Sequence, residues 1–279
     1  MKNTALLPIY TRIEKEPVTL CAALEAAVFD FPFFQEGVGL LRKTLATAEN
    51  YTLESCPDIQ EQDLLDIKGF IFHTSHCGST LLARMLNQSK QLRVVSETEA
   101  INGLLLAYVL YDLPRPKVLS HLKGILEAYR QPIQGEHHLV FKLTSWNVFF
   151  IDLFQELYPQ TPWLYVDRDQ EATLQSLLQS GNGFVQWWDH PVDELRRHFV
   201  GAGKTYVNKA AFLKDMLEKH RQHAHARCNE QACFIEYPEF IQQFEAITRH
   251  FGLRFEPDEL LLAQGVTAFD SKNQKVLRV

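Results

Sequence analysis

Gly69-Phe70-Ile71-Phe72-His73-Thr74-Ser75-His76-Cys77-Gly78-Ser79-Thr80-Leu81-Leu82-Ala83-Arg84-Met85-Leu86 is the stretch on which the reading of the fold turns. It begins as a short apolar run ended by a turn, the pattern of a buried strand. From Ser79 onward the apolar Leu81, Leu82, Met85 and Leu86 recur at helical spacing. A helix that opens on two hydroxyl residues presents unpaired backbone N–H groups at the positive end of its dipole, which suits a phosphate. Gly78 lets the backbone approach an oxyanion, and Ser79 and Thr80 add hydroxyl donors. The same residues also read as an ordinary strand-to-helix turn with Ser79 as N-cap.

Outward from this unit, apolar runs at residues 92–95, 139–143, 163–167 and 233–236 read as further strands. Helical periodicity fills residues 101–111, 118–129, 149–158, 171–179 and 239–251 between and after them. Strands alternating with helices imply parallel pairing, because a parallel crossover needs a long connection. The expected fold is α/β, three layers around a mostly parallel sheet, with its chemistry at the carboxyl ends of the strands. Residues 1–66 differ. Leu20, Leu24, Val28, Phe33 and Phe34 have helix-like spacing with a break at Pro32, and residues 50–66 are acidic and polar. They are expected to form an N-terminal helical arm and linker ahead of a main domain at 67–279.

Composition bounds the rest. A chain of 279 residues, 46% hydrophobic and 22% charged, buries one sizeable core, which excludes disorder, collagen-like repeats and a small disulfide scaffold. Its formal charge of −6 argues against a surface built to hold nucleic acid, so any bound phosphate must be held by a local site. The five cysteines are scattered and form no C-x-x-C pair, which points to reduced thiols and to no zinc site. Residues 1–10 lack the features of a signal peptide, and no apolar run reaches the roughly 18 residues of a membrane span. A soluble cytoplasmic protein with neither membrane nor nucleic-acid partner is expected.

Two further strand ends carry cations. Residues 164–169 end a strand on Arg168, with Ser176 on the helix that follows, and residues 140–144 end another on Lys142. Each has a bland reading as a surface arginine, a solvated serine or a snorkelling lysine. Together with the loop after the first strand, they bring phosphate-binding groups to one edge of the sheet.

These segments, in this order, resemble the sulfotransferases that use 3′-phosphoadenosine 5′-phosphosulfate. His76-Cys77-Gly78-Ser79-Thr80 is similar to the family's 5′-phosphosulfate loop, and Arg168 and Ser176 have the spacing of its 3′-phosphate motif. Residues 149–154 leading to Tyr158-Pro159, and Phe234-Ile235-Glu236-Tyr237 with Phe251-Gly252-Leu253 after it, resemble the segments that accompany those motifs. The likeness runs from about Lys68 to Lys272. It implies a P-loop NTPase-like sulfotransferase fold, with the donor held by Ser75, His76, Cys77, Gly78, Ser79, Thr80, Arg168, Ser176, Tyr237 and Lys272. It further implies transfer to a hydroxyl or amine of a small-molecule or peptide acceptor, with no metal.

Within the family the local likeness is to tyrosylprotein sulfotransferases and their bacterial relatives, through Gly78-Ser79-Thr80-Leu81-Leu82 and Val95-Ser96-Glu97-Thr98. That likeness implies Glu97 as catalytic base, with Glu99 the alternative carboxylate, and Lys142 assisting the leaving group. Three departures stand out. His76 occupies the place of a Lys or Arg, so a permanent cation is missing, although bound anions would favour its protonation. Thr144, with Trp146 just beyond, replaces a histidine common in cytosolic members, and Asp270-Ser271-Lys272-Asn273 lacks the Arg-Lys-Gly form of the 3′-phosphate clamp. Two other functions compete: a binding protein of this fold that has lost donor affinity, and a kinase-like phosphotransferase, which the absence of Lys after Gly78 disfavours.

Other signals weigh less. Gly201-Ala202-Gly203-Lys204-Thr205 looks like the end of an ATP-binding loop, but His198 replaces its first glycine and the preceding residues are charged. It reads instead as a helix start or a loop over the acceptor site. His220, His223 and His225 read as a solvated helix face rather than a metal site. Trp187 and Trp188 either line an acceptor pocket or plug the core.

Overall fold

A computed structural model describes residues 4–44, 51–55, 61–181 and 187–267. Its first segment departs from the expected helical arm. Strands β1 (Thr4–Thr11) and β2 (Thr19–Glu25) form an antiparallel hairpin, and β3 (Tyr51–Thr52) adds to β2. A 3-10 turn (Ala26–Asp30) follows, and helix α1 (Phe34–Thr44) lies wholly beyond Pro32. The spacing explains the error: Leu20 and Leu24 are four residues apart, and such a pair shares one face in a helix and in a strand alike. Pro8 lies inside β1, at a register shift between Pro8 and Tyr10, where a proline is tolerated.

The chain continues through β4 (Asp66–His73), α2 (Ser79–Leu86), β5 (Leu92–Ser96), α3 (Glu99–Tyr111), α4 (Arg115–Ala128) and β6 (His138–Lys142). A 3-10 turn (Ser145–Phe150) leads into α5 (Ile151–Leu157), then β7 (Trp163–Arg168), α6 (Gln170–Ser180), α7 (Asp193–Phe199) and α8 (Lys209–Ala226). Strand β8 (Ala232–Tyr237), α9 (Phe244–His250) and α10 (Pro257–Val266) complete it. The five strands β4–β8 pair in parallel in the order β5-β6-β4-β7-β8. This is the expected α/β architecture. The chain leaves the central β4 for the edge strand β5, returns to β6 and crosses to β7, so the strand order reverses around β4. A crevice at such a switch point opens at the carboxyl ends of the strands.

Each strand alternates between two apolar layers. Phe70, Phe72, Phe141, Trp163 and Tyr165 face a core shared with α3, α4, α5 and α8, while Ile71, Val94, Val140, Leu164 and Val166 face α2, α9 and α10. With both faces covered, the strands read as continuous apolar runs, which is why they are visible in the sequence. The N-terminal hairpin belongs to the first layer through Leu7, Ile9 and Leu24, and the turn after it through Val28. It sits hard against α3: a Cβ on Gly103 would lie 2.1 Å from the Thr11 carbonyl oxygen. The Thr11 hydroxyl donates to the Ala100 carbonyl at 2.7 Å, and the Gln131 amide donates to the Leu6 carbonyl at 2.9 Å.

Smaller expectations also shift. The helix expected at 239–251 divides into a 3-10 turn (Glu239–Ile241) and α9. His220 is fully buried, with the Phe149 ring centroid 4.8 Å away, so it is a packed rather than a solvated ring, whereas His225 stacks on Phe234 at 4.4 Å and stays exposed. Gly201–Thr205 is a turn between α7 and α8 in which Lys204 pairs with Asp215 at 2.8 Å. Among the described residues, no helix is long and apolar enough to cross a membrane.

Candidate functional site

All five parallel strands end at one crevice, and each carries a polar or charged residue to it: His73 on β4, Glu97 just past β5, Lys142 on β6, Arg168 on β7 and Tyr237 on β8. The loop after β4 turns back through left-handed backbone at His76 (φ 61°) and Gly78 (φ 82°). At Gly78 the requirement is double, because a Cβ there would also lie 2.6 Å from the Tyr237 ring. Gly78 supplies no side-chain cap to α2, so the N–H groups of its first turn face the crevice end without one. Ser75, Ser79 and Thr80 are buried, and the Ser75 hydroxyl donates to Ser145 at 2.9 Å. Burial pushes the Cys77 thiol up to about 12, so it remains a neutral packing group.

Two clusters flank this loop. On the β7 side, His76 Nδ1 lies 2.7 Å from the Ser176 hydroxyl and Nε2 lies 3.4 Å from that of Ser180. Arg168 donates to the His76 carbonyl at 3.2 Å and lies over the Tyr237 ring, 5.2 Å from its centroid. Arg221 on α8 holds this strand end in place. It donates twice to Asp167, at 2.5 and 3.2 Å, and once to the Arg168 carbonyl at 2.8 Å.

On the β6 side, the fully buried Lys142 ammonium forms an ion pair with Glu97, lies 3.4 Å from the Thr80 hydroxyl and lies 5.0 Å from the Phe33 ring centroid. Glu97 is held in left-handed backbone (φ 54°), a conformation costing about 1 kcal/mol or more for a residue with a Cβ. Its N–H donates to the Lys142 carbonyl at 2.8 Å, which fixes the strained turn.

His73 completes this side. Its ring nitrogens lie 2.7 Å from the carbonyls of Thr74 and Leu143, and Nε2 is 3.8 Å from the Glu97 carboxylate. Burial, and then the Lys142 ammonium, push His73 from its ordinary 6.5 down to about 4. A neutral imidazole donates from one nitrogen only, so one of the two carbonyl contacts carries the proton.

A pH dependence follows from this depressed value. The unfolded chain binds a proton at His73 near pH 6.5 and the folded chain only near 4. Stability is therefore full above the higher value and is lost as pH falls toward the lower one, by on the order of 3 kcal/mol for this residue. The buried His220, pushed down in the same direction, adds to the loss. Denaturant midpoints taken between about pH 7 and pH 5 should fall, and less steeply in His73→Asn; a flat profile contradicts the assignment.

Beside Glu97 opens a cavity of about 620 Å³, within the range of small-molecule sites. Its wall includes Phe33, Glu36, Glu97, Glu99, Trp146 and Trp187. Trp187 therefore lines the pocket while also packing on Phe199, with ring centroids 4.5 Å apart. Sequence reasoning missed the contribution of Phe33 and Glu36 from the N-terminal segment, and it missed His73 and Arg221. For His73 the only available signal was its position at the end of the first strand of the sheet. Lys272, with Asp270, Ser271 and Asn273, lies outside the described residues.

No family model matches the sequence, and no curated protein shows significant similarity to it. Solved structures do. A sulfotransferase from Alicyclobacillus acidocaldarius is 13% identical, with a TM-score of 0.42 over 73% of this chain and 94% of that one. Sulfotransferase STF9 from Mycobacterium avium is 10% identical, with a TM-score of 0.49 over 77% and 69%. Mouse sulfotransferase SULT7A1 complexed with PAP is a further likeness, 17% identical with a TM-score of 0.41 over 75% and 65%.

Proposed function

We propose that this protein is a sulfotransferase, moving a sulfonyl group from 3′-phosphoadenosine 5′-phosphosulfate to a hydroxyl of an acceptor held beside Glu97. One observation carries this reading: the loop at Ser75–Thr80 joins an arginine–histidine–serine cluster on one side to a lysine–glutamate pair on the other, and a cavity opens at that pair. Arg168, Ser176 and His76 would hold phosphate oxygens of the nucleotide. The α2 amides with Ser79 and Thr80 would hold the phosphosulfate.

Glu97 accepts the proton of the acceptor hydroxyl as its oxygen attacks sulfur. The sulfur–oxygen bond to the 5′-phosphate breaks and its electron pair stays on the phosphate oxygen. Lys142 is the buried cation next to Glu97 and Thr80, and it steadies that charge. Positioning and electrostatics supply the catalysis, as in phosphoryl transfer.

The test is a thermal titration with adenosine 3′,5′-bisphosphate. A ligand at 100 times its Kd stabilises a folded protein by about 2.7 kcal/mol, so the unfolding midpoint should rise clearly and Arg168→Ala should abolish the rise. No rise in the unmodified chain overturns the proposal, and a rise only with magnesium ATP favours a phosphotransferase. His76, standing where a permanent cation is expected, supports a second reading as a binding protein of this fold without donor affinity. That reading predicts no response to the bisphosphate.

A further inference from the structure

The cavity beside Glu97 is acidic as well as aromatic. Glu36 lies in the first turn of α1 and Glu99 opens α3, and both line the cavity with Glu97. The charge of Lys142 is engaged by Glu97. Among the described residues neither Glu36 nor Glu99 forms an ion pair; Glu99 only accepts from the Asn102 amide at 3.4 Å. Burial and the neighbouring Glu97 push both carboxyls up, the mark of negative charge that lacks a counter-charge. His190 is the remaining basic group of the wall.

Trp146 and Trp187 meet edge to face, with centroids 6.3 Å apart, and form an aromatic corner on the wall. Aromatic faces backed by carboxylates recognise organic ammonium groups. The Glu97 base of the function proposed above calls for a hydroxyl on the same molecule.

We infer that the cavity binds a hydroxylated organic cation, an aromatic or aliphatic amine carrying a hydroxyl group, with its ammonium held by Glu36 and Glu99 against the aromatic wall. The assignment of that cation as the sulfonyl acceptor rests on the function proposed above; its binding does not.

Three phenols of one shape and different charge provide the test: tyramine (cation), 4-(2-hydroxyethyl)phenol (neutral) and 4-hydroxyphenylacetate (anion). Calorimetric titration of the full chain, without donor nucleotide, should rank them in that order, with tyramine at least about tenfold tighter than the neutral phenol. The preference should shrink with added salt and fall close to unity in the double variant Glu36→Gln/Glu99→Gln. Equal dissociation constants, preference for the anion, no measurable tyramine binding, or a preference that survives the double variant each overturn the inference. Tyramine that binds with the expected charge preference but is never sulfonated on addition of donor upholds the cation site and counts against the sulfotransferase reading alone.

Discussion

Glu97→Gln should lower sulfonyl transfer by about 10²–10⁴-fold while leaving the thermal response to adenosine 3′,5′-bisphosphate intact. Glutamine keeps the size of the side chain, and its amide oxygen still accepts from the Lys142 ammonium, so the buried cation keeps a partner. What it loses is the capacity to take a proton. The nucleotide contacts proposed for Arg168, His76 and Ser176 lie on the opposite flank of the loop and do not involve Glu97. Alanine is the poorer probe. It strands a fully buried ammonium, at a cost of several kcal/mol, and would mix a folding defect with a chemical one. Single-turnover transfer measured beside thermal shift separates the two effects. An unchanged rate removes Glu97 from the mechanism and directs the same substitution to Glu99.

Glu136→Ala should destabilise the protein by about 3–5 kcal/mol, read as a shift in denaturant midpoint. Arg93 on β5 is completely buried. Its guanidinium donates to the carbonyls of Tyr129 and Gln131 at 3.0 and 2.7 Å and to the Glu136 carboxylate at 3.1 Å, and it lies 4.8 Å from the Phe29 ring centroid. Glu136 in turn accepts from the N–H groups of Ile133 and Gln134. Burial alone would push its carboxyl up; Arg93 and these N–H groups outweigh burial and hold it below the usual range. Removing the carboxylate leaves Arg93 with its charge uncompensated. Replacing both partners by apolar residues, Arg93→Met with Glu136→Leu, should cost less than the single change, because no buried charge is then left alone. A single substitution that is neutral contradicts this account.

The main sheet was legible because its strands are covered on both sides. Runs such as Phe70-Ile71-Phe72 and Leu139-Val140-Phe141 are apolar at every position, as a strand buried on both faces requires. The N-terminal hairpin was not legible, since Leu20 and Leu24 fit either periodicity and the choice falls to what they pack against. The same limit applies to the histidines of α8. Their spacing is that of a solvated face, yet Phe149 covers His220 from a segment more than 70 residues earlier in the chain.

At the site, the chain itself specifies which groups arrive at the crevice. The strand–loop–helix at residues 66–86 sets the turn proposed to hold the anion, and the parallel topology it belongs to sends Lys142 and Arg168 to the strands on either side of β4. Tertiary structure alone decides the partners. It sets Glu97 on Lys142 across adjacent strand ends, joins His76 to Ser176 and buries His73 beside the Glu97 carboxylate. It also brings Glu36, from a segment outside the recognisable motifs, to the wall of the cavity that Glu97 lines. Local sequence fixes strand direction and turn chemistry through short-range sterics and hydrogen bonding. Contacts between residues far apart in the chain depend on how whole layers pack, and no spacing along the sequence encodes that.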